Sequence, residues 1–271
     1  MHLRYLSRVV LCAAVLSVFA ANASAQATQA PAKPFEPQVG QAGKDVVWVP
    51  TPQALVDKML DMAKVTPQDY LIDLGSGDGR TVITAAKRGL TAHGIEYNPD
   101  MVDLAKRNAT AAGVTDKATF AQADLFQSDF SKAQVITMFL LPSINVKLRP
   151  TILNMRPGTR VVSNTFTMED WQPDQVETIT ECTSWCTANL WIVPAKVDGM
   201  WQLPQGALTL SQNFQMVTGW LGSTPISDGK LRGDEITFKV GNAVYTGRVQ
   251  GTTIRGTVTG GSGGAFTATR K

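Results

Sequence analysis

The sequence predicts an α/β protein: a doubly wound, seven-stranded, mostly parallel sheet followed by a small all-β, barrel-like domain. Three observations carry this expectation. Apolar runs of strand length alternate with helix-period segments over residues 46–193, and a glycine-rich turn closes the first strand. Beyond Pro194 the composition shifts to Gly, Thr, Val and Gln, in short alternating runs separated by turn signals.

Residues 1–25 place Arg4 and Arg8 ahead of an apolar run at 9–21 and then Ala23-Ser24-Ala25, the pattern of a secretory signal peptide cleaved before Gln26. The run is shorter than the roughly 20 residues of a membrane-spanning helix. The residues before Cys12 lack the small side chains of a lipoprotein site, so an exported, periplasmic chain without a stable membrane anchor is expected. Residues 26–45, rich in Ala, Gln and Pro, read as a flexible leader.

The sheet-bearing domain is expected over 46–196. Thr51-Pro52 reads as an N-cap followed by proline at the first helical position, opening a helix to about Lys64 whose apolar face is Leu55, Val56, Met59, Leu60 and Ala63. Strands follow at 70–74, 91–96 and 118–123, and a near-continuous apolar run at 134–141 reads as a central strand buried on both faces. Helices lie between them: one after the glycine turn, one capped by Asn98-Pro99, and one from Ile144 to Met155 interrupted at Pro150. Residues 160–166 form a fifth strand, and 176–182 with 188–193 add an antiparallel edge hairpin whose connection holds Trp185. The β domain, 197–271, shows six alternating runs from Ala207 onward, with Ser227-Asp228-Gly229 among its turn signals, and reads as a closed or half-closed barrel.

Composition excludes several function classes. The formal net charge is +3, part of it owed to the two signal-peptide arginines, and no basic cluster or nucleic-acid motif is present, so no nucleic-acid partner is expected. Mature cysteines are Cys182 and Cys186, free to form a short-range disulfide or to remain thiols. With His93 the one mature histidine, placed inside a strand, no metal site is expected.

The chemistry centres on Asp73-Leu74-Gly75-Ser76-Gly77-Asp78-Gly79-Arg80. A dinucleotide fingerprint needs glycine where Arg80 stands. Asp73 and Asp78 would repel a pyrophosphate and favour a cationic ligand, such as S-adenosylmethionine (SAM) with its sulfonium and ammonium groups. In a parallel sheet ligands bind beyond the strands' carboxyl ends, where Asp73, Glu96, Asp124 and the Leu140-Leu141-Pro142 turn all fall.

These residues, with Gly94-Ile95-Glu96 and Asp124-Leu125-Phe126, resemble the motifs of class I SAM-dependent methyltransferases, over about residues 46–193. Trp48-Val49-Pro50-Thr51, Pro157-Gly158-Thr159-Arg160 and Asp170-Trp171-x-Pro173 are similar to the subgroup that includes the mitochondrial ATP synthase c-subunit lysine methyltransferase. The resemblance implies a Rossmann-like fold and SAM as cofactor. It implies that Asp73, Gly75, Ser76 and Gly77 hold the methionine part, Asp73 orienting its ammonium. Glu96 would take the ribose hydroxyls, Tyr97 or Asn98 border the adenine, and Asp124 with Leu125 receive the adenine edge. Thr51, Leu141, Pro142, Asn164 and Trp171 are the candidates on the substrate side, and no catalytic base is assigned. The activity implied is methylation of a protein amine of the lysine type, with the β domain aiding docking. The alternative is an exported non-catalytic module that binds SAM or a related nucleoside.

Overall fold

The computed structural model describes residues 34–261 and 263–271, so the expected signal peptide and residues 26–33 of the expected leader lie outside the described residues. The first strand, β1 (Tyr70–Leu74), is the hub of the sheet. Leu71 and Asp73 face one side and Ile72 and Leu74 the other, and all four are buried. β1 pairs in parallel with β2 (Thr91–Glu96) and with β4 (Val135–Met138), which puts Asp73 opposite Gly94 on one side and Thr137 on the other. With β3 (Ala118–Gln122), β5 (Arg160–Asn164), β6 (Gln175–Thr178) and β7 (Thr187–Ile192), the sheet order is β3-β2-β1-β4-β5-β7-β6, and β7 runs antiparallel to both its neighbours.

Helices cover both faces. α1 (Gln53–Met62), α2 (Arg80–Lys87) and α3 (Pro99–Ala111) bury Leu55, Leu60, Val82, Ala85 and Ala105 with Leu71, Val135 and Leu190. α4 (Pro142–Leu153) packs Ile144, Leu148 and Ile152 with Ile72, Ile136 and Val161 on the opposite face. Pro150 lies within α4 instead of interrupting it; it withdraws one donor near the last turn, where the helix is about to end. α1 opens one residue later than expected. Its N-cap is Pro52 without a side-chain cap, because the Thr51 hydroxyl is engaged by Asn164 Nδ2 at 3.2 Å.

Two strands are shorter than their apolar runs. β4 ends at Met138 and releases residues 139–141 from the sheet; β5 ends at Asn164, where Thr165 takes a left-handed backbone with φ of 57°.

The second sheet is a closed antiparallel barrel of eight strands: β8 (Gly199–Leu203), β9 (Gly206–Asn213), β10 (Met216–Leu221), β11 (Thr224–Arg232), β12 (Glu235–Val240), β13 (Ala243–Gln250), β14 (Thr253–Thr259) and β15 (Gly264–Arg270). Its interior is filled by side chains including Trp201, Leu231, Ile236, Phe238 and Phe266, as expected at this strand number. β8 and β11 have no counterpart among the six runs expected from the sequence. Ser227-Asp228-Gly229 is not a turn but a bulge within β11, where the register shifts on both sides; Asp228 has φ of 52°, and a Cβ on Gly229 would lie 2.1 Å from the Val217 carbonyl oxygen.

Candidate active site

The glycine turn is built by the strand-end hydrogen bonds around it. Gly75 N–H and Ser76 N–H both donate to the Ile95 carbonyl, at 2.9 and 3.1 Å, which turns the chain over the end of β2. Glu96 then braces the turn: its two carboxylate oxygens accept from Gly77 N–H and Asn98 N–H, each at 2.9 Å. Gly77 has φ of 52°, and a Cβ there would stand 2.7 Å from Trp48 Nε1, so this position needs glycine for both conformation and space.

A cavity of about 580 Å³ lies beyond the carboxyl ends of the parallel strands. Asp73, Gly75, Ser76, Gly77, Glu96, Tyr97, Asn98, Asp124 and Leu125 all line it. Asp73 is buried and accepts from Thr137 Oγ1 at 2.7 Å. Burial, reinforced by the nearby Glu96 and Asp78 carboxylates and opposed by the Thr137 hydrogen bond, pushes its pKa up to about 7. Ser76 Oγ is buried with no hydrogen-bond partner among the described residues. A buried carboxylate without a cationic partner among the described residues, an orphaned hydroxyl and a glycine cradle are what the ammonium end of SAM would satisfy. Glu96 keeps lone pairs free beyond its two backbone bonds, enough for a ribose diol.

Asp78 is a correction to the charge argument. Arg80 grips it through Nε and Nη2, the latter at 2.6 Å, and Arg80 Nη1 donates to the Thr51 carbonyl at 2.9 Å. Its charge is neutralised within the protein, so the acid at the end of β1 supplies the cation preference.

The roof of the cavity comes from the end of the stretch expected to be leader and from the segment that carries the Trp48-Val49-Pro50-Thr51 motif. Residues 40–48 fold into a tight hairpin, with Gly40 N–H donating to the Trp48 carbonyl, Trp48 N–H to the Gln41 carbonyl and Gly43 N–H to the Val46 carbonyl. Lys44 reaches Asp124 at 2.7 Å and lies 4.6 Å from the centre of the Tyr97 ring. The ion pair raises the Lys44 pKa and holds the Asp124 carboxyl below the usual carboxylate range. Asp124 also accepts from Phe126 N–H at 2.9 Å, capping a short 3-10 turn, Leu125–Gln127.

The substrate-side candidates separate. Thr51 and Leu141 line the cavity. Pro142 opens α4, and Asn164 is fully buried, donating to Thr51; neither lines the cavity. Trp171 is a correction: it is fully buried in the core under α4, between Trp191 and Phe214, and so cannot touch a substrate. In its place the cavity receives three rings that sequence reasoning did not assign. Phe139 follows β4, Phe166 follows β5, and Trp185 comes from the β6–β7 connection, which a Cys182–Cys186 disulfide closes. The signal was present: the expected strands at 134–141 and 160–166 run through these two phenylalanines on hydrophobicity alone.

Comparison with known proteins agrees with this geometry. A family model described as the ANTKMT methyltransferase domain matches residues 73–175. A protein-lysine N-methyltransferase of Saccharolobus islandicus is 43% identical over 134 residues, covering 48% of this chain and 83% of that protein. The human lysine N-methyltransferase of the ATP synthase c-subunit is 33% identical over 130 residues, covering 48% of this chain, and the chain spans 55% of its length. Among solved structures, an RNA methyltransferase from Salinibacter ruber in complex with S-adenosyl-L-homocysteine is 46% identical, with a TM-score of 0.52, covering 55% of this chain and 96% of that one. Since a lysine N-methyltransferase 43% identical is covered over 83% of its length, the chain belongs to the class I SAM-dependent methyltransferases, in the family of the protein-lysine N-methyltransferases.

Proposed function

We propose that this protein is an exported SAM-dependent N-methyltransferase that modifies a protein amine of the lysine type, with its barrel helping to dock the substrate. One observation carries the reading. A single cavity joins an acidic half, at the ends of β1 to β3, to an apolar half built from Phe139, Leu140, Leu141, Ile144 and Phe166. SAM, when bound, supplies an electrophilic methyl group on a sulfonium. Asp73 would hold its ammonium and Glu96 its ribose, which directs the methyl toward the apolar half. An amine there loses favourable solvation of its charged form, so its pKa falls from about 10.4 and the neutral nucleophile is favoured. With SAM held in this way, the amine lone pair would form the new N–C bond as the S–C pair goes to sulfur, and the proton given up by the ammonium would leave to water. Positioning and exclusion of water suffice for such a displacement, and no side chain need act as base.

The Cys182–Cys186 disulfide supports an oxidising compartment, in keeping with residues 1–25 as a signal peptide. Among the described residues no helix is long and apolar enough to cross a membrane. The barrel is fixed to the sheet through Gln215 Nε2, which donates to the Gln172 carbonyl at 2.8 Å, so it can present a surface in constant relation to the cavity. The test is to incubate the mature chain with methyl-labelled SAM and either envelope protein or total RNA from the same cells. Label in methylated lysine of a protein band is expected. Label in RNA would redirect the reading, and SAM binding without transfer to either would favour the non-catalytic module.

A further inference from the structure

We propose that Phe139, Phe166 and Trp185 form the acceptor site, an aromatic mouth through which the amine-bearing side chain passes, and that the Cys182–Cys186 disulfide holds Trp185 in it. The proposal rests on the N-methyltransferase reading above. The three rings come from three separate segments beyond the carboxyl ends of β4, β5 and β6 and meet as a cluster. Ring centres lie 5.8 Å apart for Phe139 and Phe166, 5.6 Å for Phe139 and Trp185, and 5.3 Å for Phe166 and Trp185. All three line the cavity that holds Asp73 and Glu96.

Their placement is held against local preference. Trp185 itself has φ of 58°, and Phe166 follows Thr165 with φ of 57°, a β-branched residue in the left-handed region. Surrounding bonds impose the second kink: Thr165 N–H donates to the Thr187 carbonyl at 2.6 Å, and Asn189 Nδ2 to the Thr165 carbonyl at 3.1 Å. Buried Asn145, from α4, donates to the Phe166 carbonyl at 3.3 Å. At Trp185 the constraint is covalent: the disulfide closes its loop over a separation of four residues. A loop this short removes less chain entropy than a longer one would, and its constraint falls on the residues inside it. Trp185 is nevertheless 38% exposed, which a tryptophan serving only the core would not be.

The chemistry suits an amine. The ionisable groups lining the cavity come from the hairpin and the ends of β1 to β3, whereas the segments after β4 and β5 present rings and aliphatic side chains. An arriving ammonium meets aromatic faces, which attract a cation without pairing it. Loss of water in the mouth opposes that attraction, and in the dry interior beyond it desolvation favours the neutral form that reacts.

The test uses the mature chain with S-adenosylhomocysteine present to prevent turnover, titrated with poly-L-lysine and read by tryptophan fluorescence and calorimetry. Trp185→Ala, Trp185→Phe and the double change Cys182→Ser with Cys186→Ser are compared, each with SAM affinity measured alongside. The expectation is that Trp185→Ala weakens poly-L-lysine binding at least tenfold, that Trp185→Phe restores most of it, and that the serine pair or added thiol reductant reproduces the loss. SAM affinity should stay within about twofold throughout. Equal poly-L-lysine binding by Trp185→Ala and the native chain, or a parallel fall in SAM affinity, would overturn the acceptor-site proposal alone. A native chain that binds SAM and ignores poly-L-lysine would overturn the lysine reading as well.

Discussion

Phe214, in the turn between the barrel strands β9 and β10, stacks on Trp171 of the sheet-bearing part, with ring centres 5.8 Å apart and planes inclined by 15°. Arg149 of α4 lies over the same phenylalanine, its guanidinium 5.2 Å from the ring centre, and Lys230 of the barrel approaches the buried Asp174 carboxylate at 3.7 Å. The barrel is therefore anchored in the core of the sheet. Trp171→Ala removes a fully buried ring and should cost about 3–5 kcal/mol. Calorimetry should show one shared unfolding transition in the native chain and two in the variant, while the KM for SAM stays unchanged. A raised KM with an unaltered melting curve would return Trp171 to the substrate side.

Gly77 and Trp48 make a second test, because the cradle and its roof meet there. Gly77→Ala places a methyl group 2.7 Å from Trp48 Nε1 at φ of 52°. Both the roof and the turn must shift, and SAM affinity should fall more than tenfold by calorimetry. Relief of crowding through Trp48→Ala in the same chain should restore only part of it, since the left-handed backbone still disfavours alanine by about 1 kcal/mol. Full restoration would mean that space alone decides this position.

Much of the sheet was legible because its signals are local. The caps at Asn98-Pro99, the glycine turn after β1 and the runs of β1 and β2 each specify their own conformation within a few residues. The failures share a different origin. Hydrophobicity carried β4 and β5 past Met138 and Asn164, because the sequence does not say whether an apolar residue covers the sheet or a cavity beyond it. Asp228-Gly229 reads as a turn locally, and only pairing with strands on both sides makes it a bulge. The hairpin at 40–48 has no periodic pattern, and its anchor, Lys44 to Asp124, spans 80 residues of sequence. The motif locates Trp171 near a strand end, whereas the rings that bury it, Trp191 of β7 and Phe214 of the barrel, lie far along the chain.

Lys44 tests whether that hairpin acts as a clasp. Its bond to Asp124 lies near the surface, and exposed pairs contribute modestly, so Lys44→Ala should speed SAM release by no more than about fivefold. Association should change little, and stopped-flow dissociation rates should lose most of their dependence on salt. Slower release or tighter binding would mean that Lys44 competes with the ligand for Asp124 instead of closing over it.

Asp73 makes ligand binding and stability depend on pH in opposite senses. With its pKa raised to about 7 in the fold and near 3.8 when unfolded, the folded state holds a proton that the unfolded state lacks between these values. Stability from this group is greatest below about pH 4, declines as pH rises through that window and levels off above 7, a span of about 4 kcal/mol at 1.4 kcal/mol per unit. Asp73→Asn should therefore raise the melting temperature of the ligand-free protein at pH 8 and leave it nearly unchanged at pH 4. Binding runs the other way, because the ligand's ammonium needs the charged carboxylate. SAM affinity should rise about fivefold between pH 6 and 7, with a proton released on binding, and fall again above about 8 as an α-amino group loses its charge. Calorimetry in two buffers of different ionisation enthalpy measures that proton directly. Affinity that stays flat from pH 6 to 8, with no proton exchanged, would show that Asp73 is not the ammonium's partner.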